Sequence, residues 1–288
     1  MKIYTHKWQG KVSLISGGSS GIGLALAQSL AAHGSHVWLL SRTEALLEDA
    51  LNSLPTSGQQ RHGIIPTDVS IPEQVTRAVE TVTREVGVPD LLINSAGVAH
   101  PGYVHELDLD IFHWMMNFNY FGTVYLTKAL LPGMMARGSG HIVNISSIAG
   151  FLGIFGYSAY GASKYAVRGF SDALRAEMKP HGIRVTIVYP PDTDTPQYEY
   201  EYSHRPAELK IISSSPPIPA DQVAGEILRG VVKGRATILP NFEAKLYYFL
   251  SGFFFPAVYP VMDWLVGHAR KVIGQQPQGI NNNTQQEE

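Results

Sequence analysis

The run Ser16-Gly17-Gly18-Ser19-Ser20-Gly21-Ile22-Gly23 constrains this chain more than any other. It follows a strand-length apolar stretch, Lys11–Ser16, and passes directly into the helical pattern of Leu24–Ala32. Glycines at 17, 21 and 23 permit a tight strand-to-helix turn, and they let backbone N–H groups approach a pyrophosphate at the helix N-terminus. A glycine-rich turn by itself also serves as an ordinary loop, but its place after the first strand points to a dinucleotide. No Gly-Lys-Ser/Thr follows, so the turn is not a nucleotide triphosphate loop.

The same alternation continues along the chain. Lys11–Ser16, His36–Leu40, Gly63–Ile65, Asp90–Asn94, His141–Ser146 and Arg184–Tyr189 are strand-length, and most are too continuously apolar for a sheet with one wet face. Between them, Ile22/Leu26/Leu30, Val75/Val79/Val82 and Val167/Phe170/Leu174/Met178 recur at helical spacing. A weak last strand, Ala236–Leu239, follows a helix that Pro219-Ala220-Asp221 begins. The spacing predicts an α/β fold, a Rossmann-type doubly wound parallel sheet with helices on both faces, over residues 1–240.

Residues 241–274 form a hydrophobic C-terminal extension, and 275–288 a polar tail without apolar periodicity, expected to be disordered. Leu246–Val266 carries one charge, Asp263, and as a single helix would reach about 31 Å, a bilayer core. Pro256 and Pro260 interrupt it, which suits a helical hairpin lying in one leaflet as well as a full span. A buried helix pair or a dimer interface is the plainer alternative. The first ten residues, MKIYTHKWQG, contain no signal-peptide run.

Composition removes several classes. A formal charge of -2 lacks the basic excess of a nucleic-acid binder. The absence of cysteine excludes disulfides and thiolate chemistry, and the eleven histidines show no ligand-like spacing, so no metal site is expected.

The second strand ends in Ser41-Arg42, where readers of NAD usually place an acid for the ribose 2′-hydroxyl. A guanidinium suits a 2′-phosphate, with Ser19 or Ser41 adding a hydroxyl donor, so NADPH/NADP+ is the expected cofactor. Further on, Tyr160 and Lys164 share one helical face, placing an ammonium where it favours the phenolate form of a general acid. Ser147 stands at a strand end thirteen residues earlier, with Ser146 as the alternative if that strand is misread by one.

Together, Ser16–Gly23, Asn94-Ser95-Ala96-Gly97, Asn119, Ser147 and Tyr160-x-x-x-Lys164 resemble the short-chain dehydrogenase/reductase family over roughly Lys11 to Leu239. Ser16 and Ser95 depart from its usual Thr and Asn. The resemblance implies a nicotinamide cofactor, transfer of its pro-S hydride to a ketone carbon, and a catalytic set of Asn119, Ser147, Tyr160 and Lys164. Tyr160 would protonate the oxygen, Ser147 position it, and Lys164 lower the phenol pKa and hold the nicotinamide ribose, with the backbone of Asn119 holding a water beside Lys164. Gly17, Ser19, Ser20, Gly21, Ile22 and Gly23 would cradle the pyrophosphate. Asp68-Val69 would contact adenine, and Asn94, Ala96 and Gly97 would line the groove. Pro190 to Thr195 would close over the nicotinamide, with Thr193 on its carboxamide.

Tyr189-Pro190-Pro191-Asp192-Thr193-Asp194-Thr195-Pro196, where many relatives have Pro-Gly, and Leu152–Gly156 resemble the branch that reduces 3-ketodihydrosphingosine, a long-chain keto-base. Animal members of that branch carry an N-terminal anchor. Here the C-terminal segment would do any anchoring, placing a homo-oligomeric enzyme on a membrane with its catalytic domain facing the cytoplasm. The alternatives are a reductase of another lipophilic carbonyl (steroid, retinoid or 3-oxoacyl chain) and, more distantly, a noncatalytic NADP(H) sensor. Residues 197–219 read as a mobile lid; its Glu199 and Glu201 either attract the ammonium of an amino-ketone or form a solvated face. Phe151, Phe155 and Tyr157 either wall the site or pack in the core.

The Ser41-Arg42 pair generates a direct expectation. NADPH should be preferred over NADH, and Ser41→Asp with Arg42→Ala should flatten or reverse the ratio of the two kcat/KM values. Equal use of both cofactors by the wild-type protein would contradict the reading.

Overall fold

The apolar runs assemble side by side into one sheet. In a computed structural model describing residues 5–213, 215–253 and 255–275, a single turn α1 (Thr5–Trp8) leads into β1 (Val12–Ser16), α2 (Gly21–Ala32), β2 (His36–Ser41), α3 (Glu44–Asn52), β3 (Gly63–Pro66), α4 (Pro72–Val86) and β4 (Leu91–Asn94). The second half begins with α5 (Leu109–Met115), continuous through a π-helical turn (Met116–Phe121) with α6 (Gly122–Arg137). Then come β5 (Gly140–Ile145), α7 (Ser158–Met178) and β6 (Ile183–Val188). The sheet is completed, after an excursion, by α10 (Ala220–Val232) and β9 (Thr237–Ile238). That excursion holds β7 (Thr193–Asp194), α8 (Pro196–His204), α9 (Ala207–Ile212) and β8 (Ile218–Pro219).

Strand order is β3-β2-β1-β4-β5-β6-β9, with every pair parallel. Adjacent residues alternate between two cores. Leu14, Leu40, Leu92 and Ile142 face α4, α6 and α7, whereas Ile15, Leu39, Ile93 and Val143 face α2, α3 and α10. Burying each such side chain contributes about 1.5–3 kcal/mol, and neither face of the sheet is left for water. The order reverses between β1 and β4, opening a crevice at their carboxyl ends where such folds bind ligands.

Polar groups inside the sheet fix the register of α7. Asn144 donates from Nδ2 to Ser171 Oγ (2.8 Å) and accepts at Oδ1 from Asn94 Nδ2 (2.8 Å). Asn94 therefore ties β4 to β5, and its side chain turns into the sheet rather than into the crevice expected for it. Since Ser171, Lys164 and Tyr160 lie on the same buried face of α7, this clamp also sets where the latter two emerge.

The excursion is more ordered than the loop-like lid expected for 197–219. Two short helices rise from a base clamped by the β7–β8 pairing, Thr193 opposite Ile218. The C-terminal extension also differs from the hairpin broken at two prolines. It forms α11 (Phe242–Phe253) and α12 (Phe255–Gln275), and Pro260 lies within the second helix. Pro256 falls at the second position of α12, where a missing N–H removes no helical bond. Tyr248 of α11 meets Phe151 edge-on (centroids 5.1 Å apart) and lies beside Tyr189, while α12 packs on α9. Arg270 of α12 donates from Nε to Glu208 of α9 (3.2 Å). Among the described residues, no helix is long and apolar enough to cross a membrane. The tail assigned to 275–288 lies, from 276 onward, outside them.

Gly17 is where the turn depends most on glycine. Its φ is +66°, and a Cβ would lie 2.8 Å from backbone atoms of Ala96. Gly17→Ala should destabilise the fold by about 1–3 kcal/mol, read from denaturant midpoints. Gly153→Ala, at an exposed position with open space around it, should stay within about 0.5 kcal/mol. Equal effects of the two would contradict this account of the turn.

Candidate active site

At the carboxyl ends of the central strands lies a cavity of about 690 Å³, lined among others by Gly21, Ser147, Tyr160, Lys164, Thr193 and Glu201. Tyr160 and Lys164 enter it from the first turns of α7, and both are buried. Lys164 donates from Nζ to the Ile145 carbonyl (3.1 Å) and lies 5.6 Å from the centre of the Tyr160 ring. Ser147 follows β5, and its hydroxyl acts on the Tyr160 phenol, lowering it. Its Oγ also accepts from the Ala149 N–H (3.2 Å).

Ser146 is differently engaged. Its hydroxyl donates to the Lys164 carbonyl (3.1 Å), fastening α7 to the end of β5. Of the two serines, Ser147 is the one that acts on the phenol.

The electrostatics differ from the sequence expectation. Burial, followed by the Glu201 carboxylate, holds the Tyr160 phenol above its ordinary range, against a lowering by Ser147. Burial also brings Lys164 down to about 8, partly offset by Glu201. Lys164 is not among the groups that shift the phenol, in contrast to the expected lowering, and desolvation disfavours both charged forms. The result is a phenol that keeps its proton, the state needed by a donor.

Asn119 sits in the π-helical turn between α5 and α6, a kind of helix irregularity frequent at functional sites. Its side-chain oxygen accepts from Val98 N–H (2.8 Å), and its Nδ2 donates to Val98 O and Ser163 Oγ (2.9 Å each). The asparagine thus locks the Gly97–Val98 loop to α7 beside Lys164.

The dinucleotide residues divide into two groups. Gly17, Ser20, Gly21, Ile22 and Gly23 line the cavity, as do Gly97, Pro190, Thr193 and Thr195. Thr193 donates its hydroxyl to Pro191 O (2.8 Å), and Thr195 caps α8 by accepting from Tyr198 N–H (3.1 Å). Ser19, Ser41, Arg42, Asp68, Val69, Asn94 and Ala96 are not among the cavity's lining residues. Asp68 accepts from Ser70 N–H and Oγ (2.9 and 2.6 Å), and Val69 is buried. At the end of β2, the Arg42 guanidinium lies over the Phe118 ring (5.0 Å) in an exposed position. Beside it, Ser41 Oγ is buried without a hydrogen-bond partner in the protein. An unfilled buried hydroxyl next to an exposed guanidinium fits a phosphate-bearing ribose, so these residues suit the expected cofactor.

Two features went unread in the sequence. The lid is a polar network: Tyr157 donates to Glu201 Oε2 (2.7 Å) and accepts from Arg205 Nε (3.1 Å), while Arg205 pairs with Asp192 (2.9 Å). Glu201 is 8% exposed, so its solvated-face reading fails, whereas Glu199 is exposed. Tyr157 joins this network and lines the cavity, while Phe151 packs between Tyr189 and Tyr248. The second feature is the cavity's apolar wall, to which α12 contributes Val258, Val261, Met262 and Leu265. Their spacing of three, four and seven residues was a legible helical face within a segment read as an anchor.

Comparison with known proteins gives four findings. The family model described as short chain dehydrogenase matches residues 11–205. The chain is 38% identical over 236 residues to the 3-dehydrosphinganine reductase of Danio rerio, covering 80% of this chain and 71% of that protein. It is 34% identical to the 3-ketodihydrosphingosine reductase of Dictyostelium discoideum, covering 93% and 86% respectively. Among solved structures, 3-ketoacyl-(acyl-carrier-protein) reductase from Brucella melitensis, complexed with NADH, superposes with a TM-score of 0.70 at 26% identity, over 77% of this chain and 91% of that one.

Proposed function

The chain belongs to the short-chain dehydrogenase/reductase family, a family of nicotinamide-dependent oxidoreductases, and from that premise we propose that it reduces the ketone of 3-ketodihydrosphingosine to dihydrosphingosine with NADPH. The observation that carries the reading is the joining of two features in one cavity: the Ser147–Tyr160–Lys164 cluster and an apolar wall from α11 and α12. A ketone on a long alkyl chain needs both.

A bound reduced nicotinamide supplies hydride to the carbonyl carbon. The protein's residues do the rest. Tyr160, kept protonated by burial, donates its phenolic proton to the carbonyl oxygen as charge develops there. Ser147, whose hydroxyl acts on that phenol, donates to the same oxygen and fixes its position. Lys164 holds the ribose hydroxyls and stabilises the phenolate left after transfer, and Asn119 keeps the adjoining loop in place. Gly17 to Gly23 would hold the pyrophosphate, Ser41 and Arg42 the 2′-phosphate, and Asp68-Val69 the adenine side. Pro190, Thr193 and Thr195 would close over the nicotinamide.

Oxidation of NADPH by the purified full chain, with 3-ketodihydrosphingosine beside a steroid ketone and a 3-oxoacyl thioester, tests the substrate. The keto-base should give the highest kcat/KM, and a higher value for either competitor would replace this reading.

The mechanism has its own test. Tyr160→Phe should lower kcat by at least about 1,000-fold while NADPH affinity changes little. Lys164→Ala should damage both. In the wild-type enzyme, kcat/KM should fall as pH rises through about 8, where Lys164 loses its proton. Substantial turnover by Tyr160→Phe would contradict the assignment.

We further propose that α11 and α12 rest on the cytoplasmic face of a membrane, with their outer surface in one leaflet. The support is the exposure of Phe242 on α11 and Trp264 on α12, 77% and 66%, on helices that also line the cavity with apolar side chains. Phe242→Ser with Trp264→Ser should reduce flotation with phospholipid vesicles several-fold without altering the circular dichroism spectrum. Undiminished flotation would contradict this docking face.

A further inference from the structure

The Glu201 carboxylate lies in the lid helix α8 and lines the same cavity as Ser147 and Tyr160. Its two oxygens receive one hydrogen bond each, from the Tyr157 hydroxyl and from Gln197 Nε2 (2.7 Å each). Both donors are neutral. A carboxylate has roughly four acceptor positions, so about half of its capacity remains. Glu201 takes part in no direct ion pair among the described residues, because Arg205 is turned to Asp192 (2.9 Å), which also accepts from Ser213 Oγ (3.0 Å). Asp192 is thereby matched by a cation in direct contact, whereas the cations that act on Glu201, Arg205 and Lys164, do so without touching it.

The position of Glu201 is as telling as its partners. The Tyr157 ring whose hydroxyl it binds lies 5.4 Å from the Tyr160 ring, centre to centre. The charge of Glu201 acts on both Tyr160 and Lys164, and burial raises its own carboxyl above the ordinary range. A buried acid under-matched by cations, one aromatic ring away from the proton donor, is costly for the protein alone.

We propose that Glu201 forms an ammonium subsite that receives the protonated amine on the carbon next to the reacting carbonyl. The inference deepens the substrate reading above and rests on it. The amine would complete the hydrogen bonding of the carboxylate and supply the missing charge, while the alkyl chain runs along the wall formed by α11 and α12. A keto-base would then be held at two points, carbonyl at Ser147 and Tyr160, ammonium at Glu201. Ketones of equal length without the amine would be held at one. Discrimination of this kind arises because the polar group is left unmatched by the wrong ligand.

The test compares 3-ketodihydrosphingosine with the 1-hydroxy-3-ketone of equal chain length that lacks the amine, using the full chain and NADPH. Wild-type protein should favour the amino-ketone, and Glu201→Gln should shrink the ratio of the two kcat/KM values on the order of 100-fold. Glu201→Asp should restore part of it. A purely structural role would lower both values together and leave the ratio unchanged, which overturns the proposal. Inhibition of the wild-type enzyme gives the same answer without a variant: dihydrosphingosine should bind far more tightly than its 1,3-diol analogue without the amine, and equal inhibition overturns the subsite. If wild-type protein reduces the ketone lacking the amine as readily as the amino-ketone, the subsite falls while the reductase reading stands. If it reduces neither, the substrate reading falls and takes the subsite with it.

Discussion

A parallel sheet covered by helices on both faces leaves side-chain chemistry a single outlet, the carboxyl ends of its strands. Here that constraint is complete. Every residue of β1 and β4 is buried, and neighbouring residues on each strand feed opposite cores. What emerges at the edge must therefore be aimed by something inside. The buried chain Asn94–Asn144–Ser171 does this, because it pins α7 to β4 and β5 through side-chain hydrogen bonds that water cannot replace. Ser146, bonded to the Lys164 carbonyl, repeats the clamp one turn from the site.

The same burial sets the chemistry. A phenol and an ammonium enclosed together both lean toward their neutral forms. For Tyr160 this preserves the proton that the proposed mechanism asks it to give, and for Lys164 it brings titration to about 8, near neutral pH. The lid adds Glu201, whose charge reinforces the neutral phenol of Tyr160 and opposes the loss of the proton from Lys164. Catalytic edge, lid and C-terminal helices thus form one enclosure: α12 packs on α9, Arg270 reaches Glu208, and Tyr248 covers Phe151.

Much of this was legible in the sequence because it is local. Strand-length apolar runs and glycine spacing require no knowledge of what lies across the sheet, and the strands fall within a residue or so of where they were expected. Tyr160 and Lys164 share a face because helix geometry alone dictates it. Partnerships across the fold were not legible. Nothing in Asn94 reveals that it turns toward Asn144, fifty positions away, rather than toward the groove. The Tyr-Glu alternation of residues 198–202 suggested an exposed loop, yet as a helix it sends Glu201 inward and Glu199 outward. Leu246–Val266 was read through its hydropathy, which does not distinguish lipid from a cavity as the apolar neighbour. Its period did, since Val258, Val261, Met262 and Leu265 form one face turned to the site.

In the proposed mechanism the cluster on α7 directs hydride and proton onto one ketone held at the strand edge. Turnover of 3-ketodihydrosphingosine with (4S)-deuterated NADPH, followed by mass spectrometry of the product, tests it most directly. One deuterium at the new carbinol carbon is the predicted result. Product without the label, or label delivered only from the (4R) isotopomer, would contradict it.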